Sequence, residues 1–298
     1  MSLKFFLLSF SACSFAFSIC NLLEPDNLQA PKGFSHRANS ALTWLAPHHS
    51  SSDILTTIGH DVDLNAKFSY GPLSTDLIDE EIEIWIDTCS NKLQHLGSFK
   101  TNADGRVSQK FSAAHLPKEG SFRIWAKVVG DNTLTNLTLR ILKEGTKLAV
   151  FDIDGTLTHS NVNQSLRNGS VEATQKVKKM GLEILYLTGR HYVLTNYTRH
   201  FLAESGYSDG TLILGQSLQE IVPSNSNVGE FKANRLLGLK ALGFIIERAY
   251  GNDTTDIFAY LKAGISPQQI YIAGPHGALE NTIALGEDFL NHLALIVF

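Results

Sequence analysis

The stretch Lys147-Leu148-Ala149-Val150-Phe151-Asp152-Ile153-Asp154-Gly155-Thr156-Leu157-Thr158 decides the fold of the second half of this sequence. Its apolar run from Leu148 to Phe151 is typical of a strand that is buried on both faces of a parallel sheet. The run ends at Asp152 and Asp154, and Gly155 then allows the chain to turn tightly. We therefore predict a central strand over residues 147–151 with two carboxylates directly at its carboxyl end.

Helical and strand patterns alternate after this stretch. The predicted helices cover residues 171–180, 192–204, 232–242 and 255–263, and the predicted strands cover residues 183–187, 211–214, 244–249 and 269–273. Such alternation predicts an α/β fold with a doubly wound parallel sheet and helices on both faces. In these folds the ligand binds beyond the carboxyl ends of the strands.

The part of the chain before this sheet has a different texture. Ile82, Ile84 and Ile86 alternate with charged residues, and Gly, Asn and Asp clusters punctuate residues 53–142 at short intervals. This period of two predicts an antiparallel β-sandwich of immunoglobulin-like size. We expect a signal peptide at residues 1–22, the sandwich at 28–145 and the α/β domain at 146–298.

The first residues have the layout of a secretory signal peptide: Lys4, then an apolar run over residues 5–20, then an abrupt polar end. A secreted or periplasmic location follows, with an uncleaved membrane anchor as the alternative. Cleavage removes Cys13 and Cys20, so we expect Cys89 to have no partner for an internal disulfide.

The charge balance excludes one class of protein. The chain of 298 residues has 25 Lys and Arg against 29 Asp and Glu, a net charge of -4. A general nucleic-acid binder presents a strongly basic surface instead, so we expect no nucleic-acid partner.

Asp152 and Asp154 are the first candidates for chemistry. Two carboxylates this close are costly unless a cation neutralises them. Asp152 can attack phosphorus as a nucleophile, and Asp154 can donate a proton to the leaving oxygen and then accept one from water. The alternative is a turn in which Asp and Gly merely end the strand.

Two further strand ends carry polar residues. Thr188-Gly189-Arg190 combines a hydroxyl, a free amide and the start of a predicted helix, which together form a phosphate cradle; the alternatives are a helix N-cap at Thr188 and a solvated Arg190. Asn252 and Asp256 lie four residues apart and offer hard oxygen ligands for Mg²⁺, or they simply cap a helix. Lys232 begins a helix, where a lone lysine is usually solvated.

In this order on successive βα units, these motifs resemble the haloacid dehalogenase-like phosphatase superfamily, from about Lys147 to the end of the chain. Within it the second half is most similar to the lipin-type phosphatidate phosphatase domain and to the C-terminal region of membrane-associated phosphatidylinositol transfer proteins, the retinal degeneration B type. Upstream, residues 68–73 and the turn Asp104-Gly105-Arg106 resemble the β-domain that precedes it in that branch.

The resemblance implies a role for each matching residue. Asp152 matches the nucleophile, Asp154 the acid and base, Thr188 the phosphate-binding hydroxyl and Lys232 the charge-neutralising lysine, with Lys240 as a fallback. The implied metal ligands are Asp152, Asp154, Asn252 and Asp256. The implied substrate-binding residues are Gly155, Thr156, Gly189 and Arg190.

The resemblance also implies an activity: Mg²⁺-dependent hydrolysis of a phosphomonoester, with phosphatidic acid or a related lipid phosphate as the favoured substrate. Transfer-protein homologues commonly lose the first aspartate, whereas this sequence keeps Asp152 and Asp154. The alternatives are a phosphatidic-acid-binding module without turnover and a phosphatase for soluble or protein phosphomonoesters.

The segments between the motifs are too short for a large lid, so we expect a minimal cap and an open site. Such a site suits a lipid headgroup or a phosphorylated small molecule as partner. Several basic residues are candidates for contact with an anionic membrane surface: Arg167, Lys176, Lys178, Lys179, Arg190 and Arg199.

Overall fold

The computed structural model describes residues 25, 30–90, 92–160 and 164–296. The predicted signal peptide at residues 1–22, with Cys13 and Cys20, therefore lies outside the described residues and stays a prediction. Cys89 is disulfide-bonded. The prediction that Cys89 has no disulfide partner concerns a chain from which residues 1–22 have been cleaved, so it stays a prediction.

The first domain is a β-sandwich. Its strands are β1 (Ser50–Ser51), β2 (Ile54–Thr57), β3 (Val62–Lys67), β4 (Ser69–Tyr70), β5 (Thr75–Asp76), β6 (Glu81–Asp87), β7 (Leu93–Lys100), β8 (Arg106–Phe111), β9 (Gly120–Val128) and β10 (Leu134–Leu142). A three-stranded sheet of order β1-β3-β8 faces a five-stranded sheet of order β2-β10-β9-β6-β7. The isoleucines of β6 are fully buried in the core that the two sheets share, as their period of two predicts.

The sandwich is not wholly antiparallel, because β2 pairs with β10 in parallel. Between Ser51 and Ile54 the chain bends out of the three-stranded sheet and continues, in the same direction, in the five-stranded one. A strand that changes sheets at such a bend closes the corner of a sandwich. The sequence pattern gave no sign of this bend, since β1 and β2 together are too short to show a period.

The second domain is built on a six-stranded parallel sheet. Its strands are β11 (Lys147–Phe151), β12 (Glu183–His191), β13 (Thr211–Gly215), β14 (Ile245–Gly251), β15 (Ile270–Ala273) and β16 (Ile283–Gly286), in the order β13-β12-β11-β14-β15-β16. The α-helices within the described residues are α1 (Arg37–Ser40), α2 (Ser170–Lys179), α3 (Thr195–Glu204), α4 (Leu218–Ile221), α5 (Glu230–Ala241), α6 (Thr254–Lys262) and α7 (Leu290–Leu293).

Helices cover both faces of this sheet, as predicted. Leu148 and Val150 of β11 pack into one core with α5 and α6, whereas Ala149 and Phe151 pack into a second core with α2 and α7. Strand β11 lies in the middle of the sheet, and the chain builds outward from it first through β12 and β13 and then through β14 to β16. Such a reversal of direction beside the central strand opens a crevice at the carboxyl ends of the strands.

The two domains share buried contacts. Leu55 and Leu142 of the sandwich belong to the same apolar core as α5 and α6. The Asp53 carboxylate, which is buried, accepts hydrogen bonds from the backbone N–H groups of Thr138 in the sandwich and Leu212 in β13, at 2.8 and 3.0 Å. One buried carboxylate thus accepts hydrogen bonds from backbone N–H groups of both domains.

The position of the boundary between the domains, at residue 145, stays a prediction.

Across the described ranges, no helix combines the length and the apolar character needed to cross a membrane.

Candidate active site

The predicted residues converge on a pocket of about 340 Å³ at the carboxyl edge of the parallel sheet. Asp152 directly follows β11, Thr188 lies in β12, and Asp256 lies in the first turn of α6. Lys232 reaches the same pocket from α5. Among the described residues, the polar side chains that line it are those of Asp152, Asp154, Gln164, Thr188, Arg190, Lys232, Asn252, Asp253, Thr255 and Asp256.

At the floor of the pocket, one ammonium group is shared by two carboxylates. Lys232 Nζ donates to Asp152 Oδ1 at 2.7 Å and to Asp256 Oδ1 at 2.6 Å, and all three side chains are buried. Lys232, and not Lys240, is therefore the lysine that lies in this pocket. The fallback, Lys240, donates instead to the carbonyls of Ala263 and Gly264 at the end of α6.

When both carboxylates are ionised, this cluster holds one more negative than positive charge. Burial raises the pKa of Asp152, and repulsion from Asp256 adds to this, while Lys232 acts in the opposite direction. For Lys232, burial acts to lower the pKa, but attraction to Asp152 and Asp256 outweighs it and raises the pKa above its ordinary value. The lysine is thus fully charged, and the two carboxylates are short of one positive charge.

Asp154 is paired with an arginine. Arg190 donates from Nε to Asp154 Oδ2 and from Nη2 to Asp154 Oδ1, both at 2.7 Å, in a bidentate pair. Arg190 also donates to Thr198 and lies over the ring of Phe201, with 5.6 Å between Cζ and the ring centroid. The alternative of a solvated Arg190 is wrong, because the side chain is buried against these partners.

The turn after β11 explains the glycine and the threonine of the motif. Gly155 has a φ of +77°, and a Cβ atom there would lie 2.3 Å from the Asn252 side-chain nitrogen. The Thr156 hydroxyl lies 3.0 Å from both Asp152 Oδ2 and Asn252 Oδ1. Any larger residue at position 155 would therefore push Asn252 away from the hydroxyl that orients Asp152.

Asp256 has a capping role as well as a place in the pocket. Asp253 is the N-cap of α6, and Asp256 Oδ2 accepts from the backbone N–H groups of Asn252 and Asp253 at 3.0 and 3.2 Å. Its other oxygen faces Lys232. The helix cap, the alternative interpretation of this motif, is therefore present together with the pocket carboxylate, and the two uses share one side chain.

The helix predicted at residues 192–204 is present, but its first turn is a 3-10 turn and it begins well after Thr188. Strand β12 continues to His191, a 3-10 turn covers Tyr192–Leu194, and α3 begins only at Thr195. Thr188 therefore caps no helix; its hydroxyl accepts from the N–H of Arg190 at 3.3 Å. Position 189 requires glycine because the Val228 side chain lies close to its backbone. A Cβ atom there would lie 2.7 Å from Val228, which belongs to the π-helical turn Asn225–Gly229.

The rim segment from Arg190 to Asn196 is held by the sandwich. The Arg106 guanidinium lies over the ring of Tyr192 at 4.5 Å, and the His48 ring lies 3.3 Å from the carbonyl of Val193. Asn196 donates to the carbonyl of His49 at 3.1 Å. The sequence could not reveal these contacts, because they join residues about 85 to 150 positions apart.

Arg167 is a second residue whose role the sequence did not indicate. It donates to the carbonyl of Gly155 at 2.8 Å and is almost fully buried. Arg167 and Arg190 are thus internal, and Arg199 pairs with Asp53; these three do not form an outward basic surface. Of the basic residues proposed to face a membrane, Lys179 is exposed.

The donors at the pocket floor fit a hard divalent cation. Asp152 and Asp256 carry an excess negative charge, and Asn252 places a further oxygen next to Thr156. Carboxylate, amide and carbonyl oxygens are the ligands that Mg²⁺ takes in proteins. No group of three or more His, Cys, Asp or Glu side chains within the described ranges is arranged to hold a metal, so the predicted set depends on Asn252 and on the Asp154 carbonyl.

Both domains match family models. Residues 149–274 match the model described as the PITM 1-3 LNS2 domain, and residues 47–141 match the PITM 1-3 beta-sandwich domain. The chain is similar to PITM proteins in both domains. The predicted resemblance to membrane-associated phosphatidylinositol transfer proteins is thereby confirmed.

Curated relatives carry these names. Human membrane-associated phosphatidylinositol transfer protein 2 is 29% identical over 80% of this chain and 18% of its own length. The Drosophila melanogaster protein retinal degeneration B is 26% identical over 88% of this chain and 21% of its own length, and human membrane-associated phosphatidylinositol transfer protein 3 is 27% identical over 92% and 28%. The chain thus spans less than a third of the length of these relatives.

The chain was also compared with solved structures, and the similarity found is low. A chain of the Pnkp1/Rnl/Hen1 RNA repair complex is 15% identical over 53% of this chain and 51% of its own length, with a TM-score of 0.34. A value this low carries no conclusion about fold or function.

Proposed function

We propose that this protein hydrolyses a phosphomonoester through a covalent intermediate on Asp152, in a haloacid dehalogenase-like domain with a minimal cap, and that its substrate is phosphatidic acid or a related lipid phosphate. The observation that carries the proposal is the buried Asp152 carboxylate, oriented by Lys232 and Thr156, in one pocket with Asp154 and Arg190.

In the first step an oxygen of the Asp152 carboxylate attacks phosphorus, and the bond from phosphorus to the leaving oxygen breaks. Asp154 gives its proton to that oxygen, so the alcohol leaves neutral. In the second step water attacks the phosphorus, Asp154 takes the proton from the water, and the bond to Asp152 breaks with release of phosphate. Lys232 and Arg190 offset the charge of the phosphoryl oxygens.

Asp154 cannot act in this way while both its oxygens accept from Arg190. A substrate phosphate offers Arg190 the same bidentate geometry as a carboxylate does. Binding of substrate would therefore draw Arg190 away and leave Asp154 free to take up, from water, the proton that it gives to the leaving oxygen. Mg²⁺, when bound, would be held by Asp152, Asp256, Asn252 and the Asp154 carbonyl, and would supply charge neutralisation for the phosphoryl group.

An apolar groove beside the phosphate pocket supports a lipid rather than a soluble substrate. Helix α6 contributes Asp256 to the phosphate pocket, and its next turns contribute Ile257, Phe258 and Leu261 to a groove of about 490 Å³. Leu279 lines the far side and is 45% exposed. An amphiphile can place its phosphate in the first site and apolar atoms along the second.

The alternative function is binding of phosphatidic acid without turnover. It is favoured by the ion pair in which Arg190 binds both oxygens of Asp154, the predicted acid. It is also favoured by the relatives, which are named as transfer proteins and not as phosphatases. A phosphatase for soluble or protein phosphomonoesters is the third candidate, and it shares the mechanism of the first.

The test is phosphate release from phosphatidate vesicles and from a soluble aryl phosphate, each with Mg²⁺ and with a chelator. We expect release from the vesicles that needs Mg²⁺ and is lost in Asp152→Asn. Sedimentation with the same vesicles measures binding in parallel. Binding without release from either substrate would establish the alternative, and release only from the aryl phosphate would establish the third candidate.

A further inference from the structure

A second polar pocket lies between the two domains, at the opposite end of the parallel sheet from the catalytic residues. It has a volume of about 280 Å³. The outer face of the sandwich's five-stranded sheet forms one wall, and the residues that precede and begin β13, together with α3, form the other. We call it the interdomain pocket; its polar lining includes Asp53, Arg123, Thr138, Arg199, Ser208 and Asp209.

Three arginines meet two aspartates around this pocket. Arg199 pairs with Asp53 at 2.7 Å, and Arg140 pairs with Asp209 at 2.5 Å. Both aspartates are therefore committed to other arginines. Arg123 is the third arginine, and among the residues that the structure describes no carboxylate lies within 4.0 Å of its guanidinium nitrogens.

Arg123 has few partners for its five N–H groups. Its Nη1 donates to the Asn136 side-chain oxygen at 2.5 Å, but its Nε is buried and has no hydrogen-bond partner. Burial lowers the pKa of Arg123, and the charges of Arg199 and Arg140 lower it further, while Asp53 and Asp209 act in the opposite direction. A guanidinium nonetheless stays protonated in proteins. Arg140 adjoins the pocket through Asp209 without lining it, and with Arg140 included the three arginines exceed the two aspartates by one positive charge.

We propose that the interdomain pocket binds a small oxyanion, a phosphate or a carboxylate, through the Arg123 guanidinium. An acceptor with two oxygens matches the planar fork of arginine. Its negative charge offsets the one positive charge of the three arginines that Asp53 and Asp209 do not neutralise. The hydroxyls of Thr138 and Ser208 lie in the same pocket. Because its walls belong to different domains, a bound oxyanion stabilises their contact.

This site is separate from the catalytic pocket. The residues that line the catalytic pocket include Asp152, Lys232 and Arg190, and the two linings have no residue in common. The inference therefore does not depend on the proposed function, and an inactive protein would still be expected to bind the oxyanion.

The experiment is a calorimetric titration of the full chain with inorganic phosphate and with acetate, at constant ionic strength set by chloride. Because the catalytic pocket is also expected to bind phosphate, Arg123→Gln is compared with Arg190→Gln. We expect Arg190→Gln to keep one phosphate site that Arg123→Gln lacks, with affinity at that site weakened about tenfold or more by loss of the charged hydrogen bonds. The acetate arm shows whether a carboxylate serves as well.

Equal phosphate binding by the wild type and a folded Arg123→Gln would overturn the proposal, since the Arg123 guanidinium would then contribute nothing to phosphate binding. If Arg123→Gln does not fold, crystals of the wild-type chain soaked in tungstate supply the second test. A tungstate peak within hydrogen-bond distance of Arg123 supports the proposal, and a pocket without one refutes it.

Discussion

Asp152→Asn is expected to make the protein more stable at pH 8 while abolishing turnover. Burial, with repulsion from Asp256, raises the pKa of Asp152 to about 7 from its ordinary 3.8. An asparagine is nearly the same shape; its oxygen can accept from Lys232, and its NH₂ group can donate to Thr156. The variant therefore removes a costly charge and keeps the hydrogen bonds.

The sign follows from the protons that each state binds. Below about pH 4 the Asp152 carboxyl is protonated in the folded and the unfolded chain, so the charge costs nothing. Between about pH 4 and pH 7 the unfolded chain loses its proton first, and the folded state loses stability as the pH rises. The difference between about 7 and 3.8 corresponds, at about 1.4 kcal/mol per pKa unit, to at most about 4 kcal/mol at pH 8.

Thermal unfolding of the wild type and Asp152→Asn at pH 4 and pH 8 measures this. At about 2 to 4 °C per kcal/mol for a chain of this size, we expect Asp152→Asn to unfold several degrees higher at pH 8 and at nearly the same temperature as the wild type at pH 4. Buried histidines such as His49 also titrate in this range, but they are common to both proteins. A variant that is less stable at pH 8, or equally stabilised at both pH values, would refute the reasoning.

Three further predictions concern other parts of the site and the interface. Asp256→Ala should abolish activity or raise the Mg²⁺ requirement, whereas Asp253→Ala should cost only about 1 kcal/mol of helix capping; unchanged Mg²⁺ dependence in both would restrict Asp256 to capping. Arg106→Ala should raise the KM for a soluble aryl phosphate severalfold with a smaller change in kcat, because Arg106 holds the rim of the pocket, and kinetics identical to the wild type would contradict that role. Arg199→Met should lower the free energy of unfolding in urea by about 3 kcal/mol, since it leaves the buried Asp53 without its cation; a loss below about 0.5 kcal/mol would show that water replaces it.

The sequence was most informative where a local pattern decides the structure. The apolar run before Asp152 forms the central strand, and the predicted strands at residues 183–187 and 211–214 appear as the longer strands β12 and β13. Because parallel strands bring their carboxyl ends to one edge, Thr188 and Asp256 could be assigned to one site from strand order. The assignment of Lys232 depended on the family resemblance.

Contacts between distant residues could not be predicted in this way. No local pattern pairs Arg190 with Asp154, and the composition could not distinguish buried arginines such as Arg140 and Arg167 from surface ones. Strand β16, with four residues and one buried side chain, is too short and too exposed to show a period. Which charges pair depends on packing, and packing is not encoded within any one segment.

Asp53 makes the two domains a single cooperative unit. Its carboxylate is solvated in a detached sandwich, but in the whole chain it takes donors from β10, β13 and α3 at once. Melting either domain exposes this carboxylate and removes the donors on which the other depends. A single heat-absorption peak in calorimetry is the expected signature, and neither domain is a portable module that recombination could transfer alone without redesigning this junction.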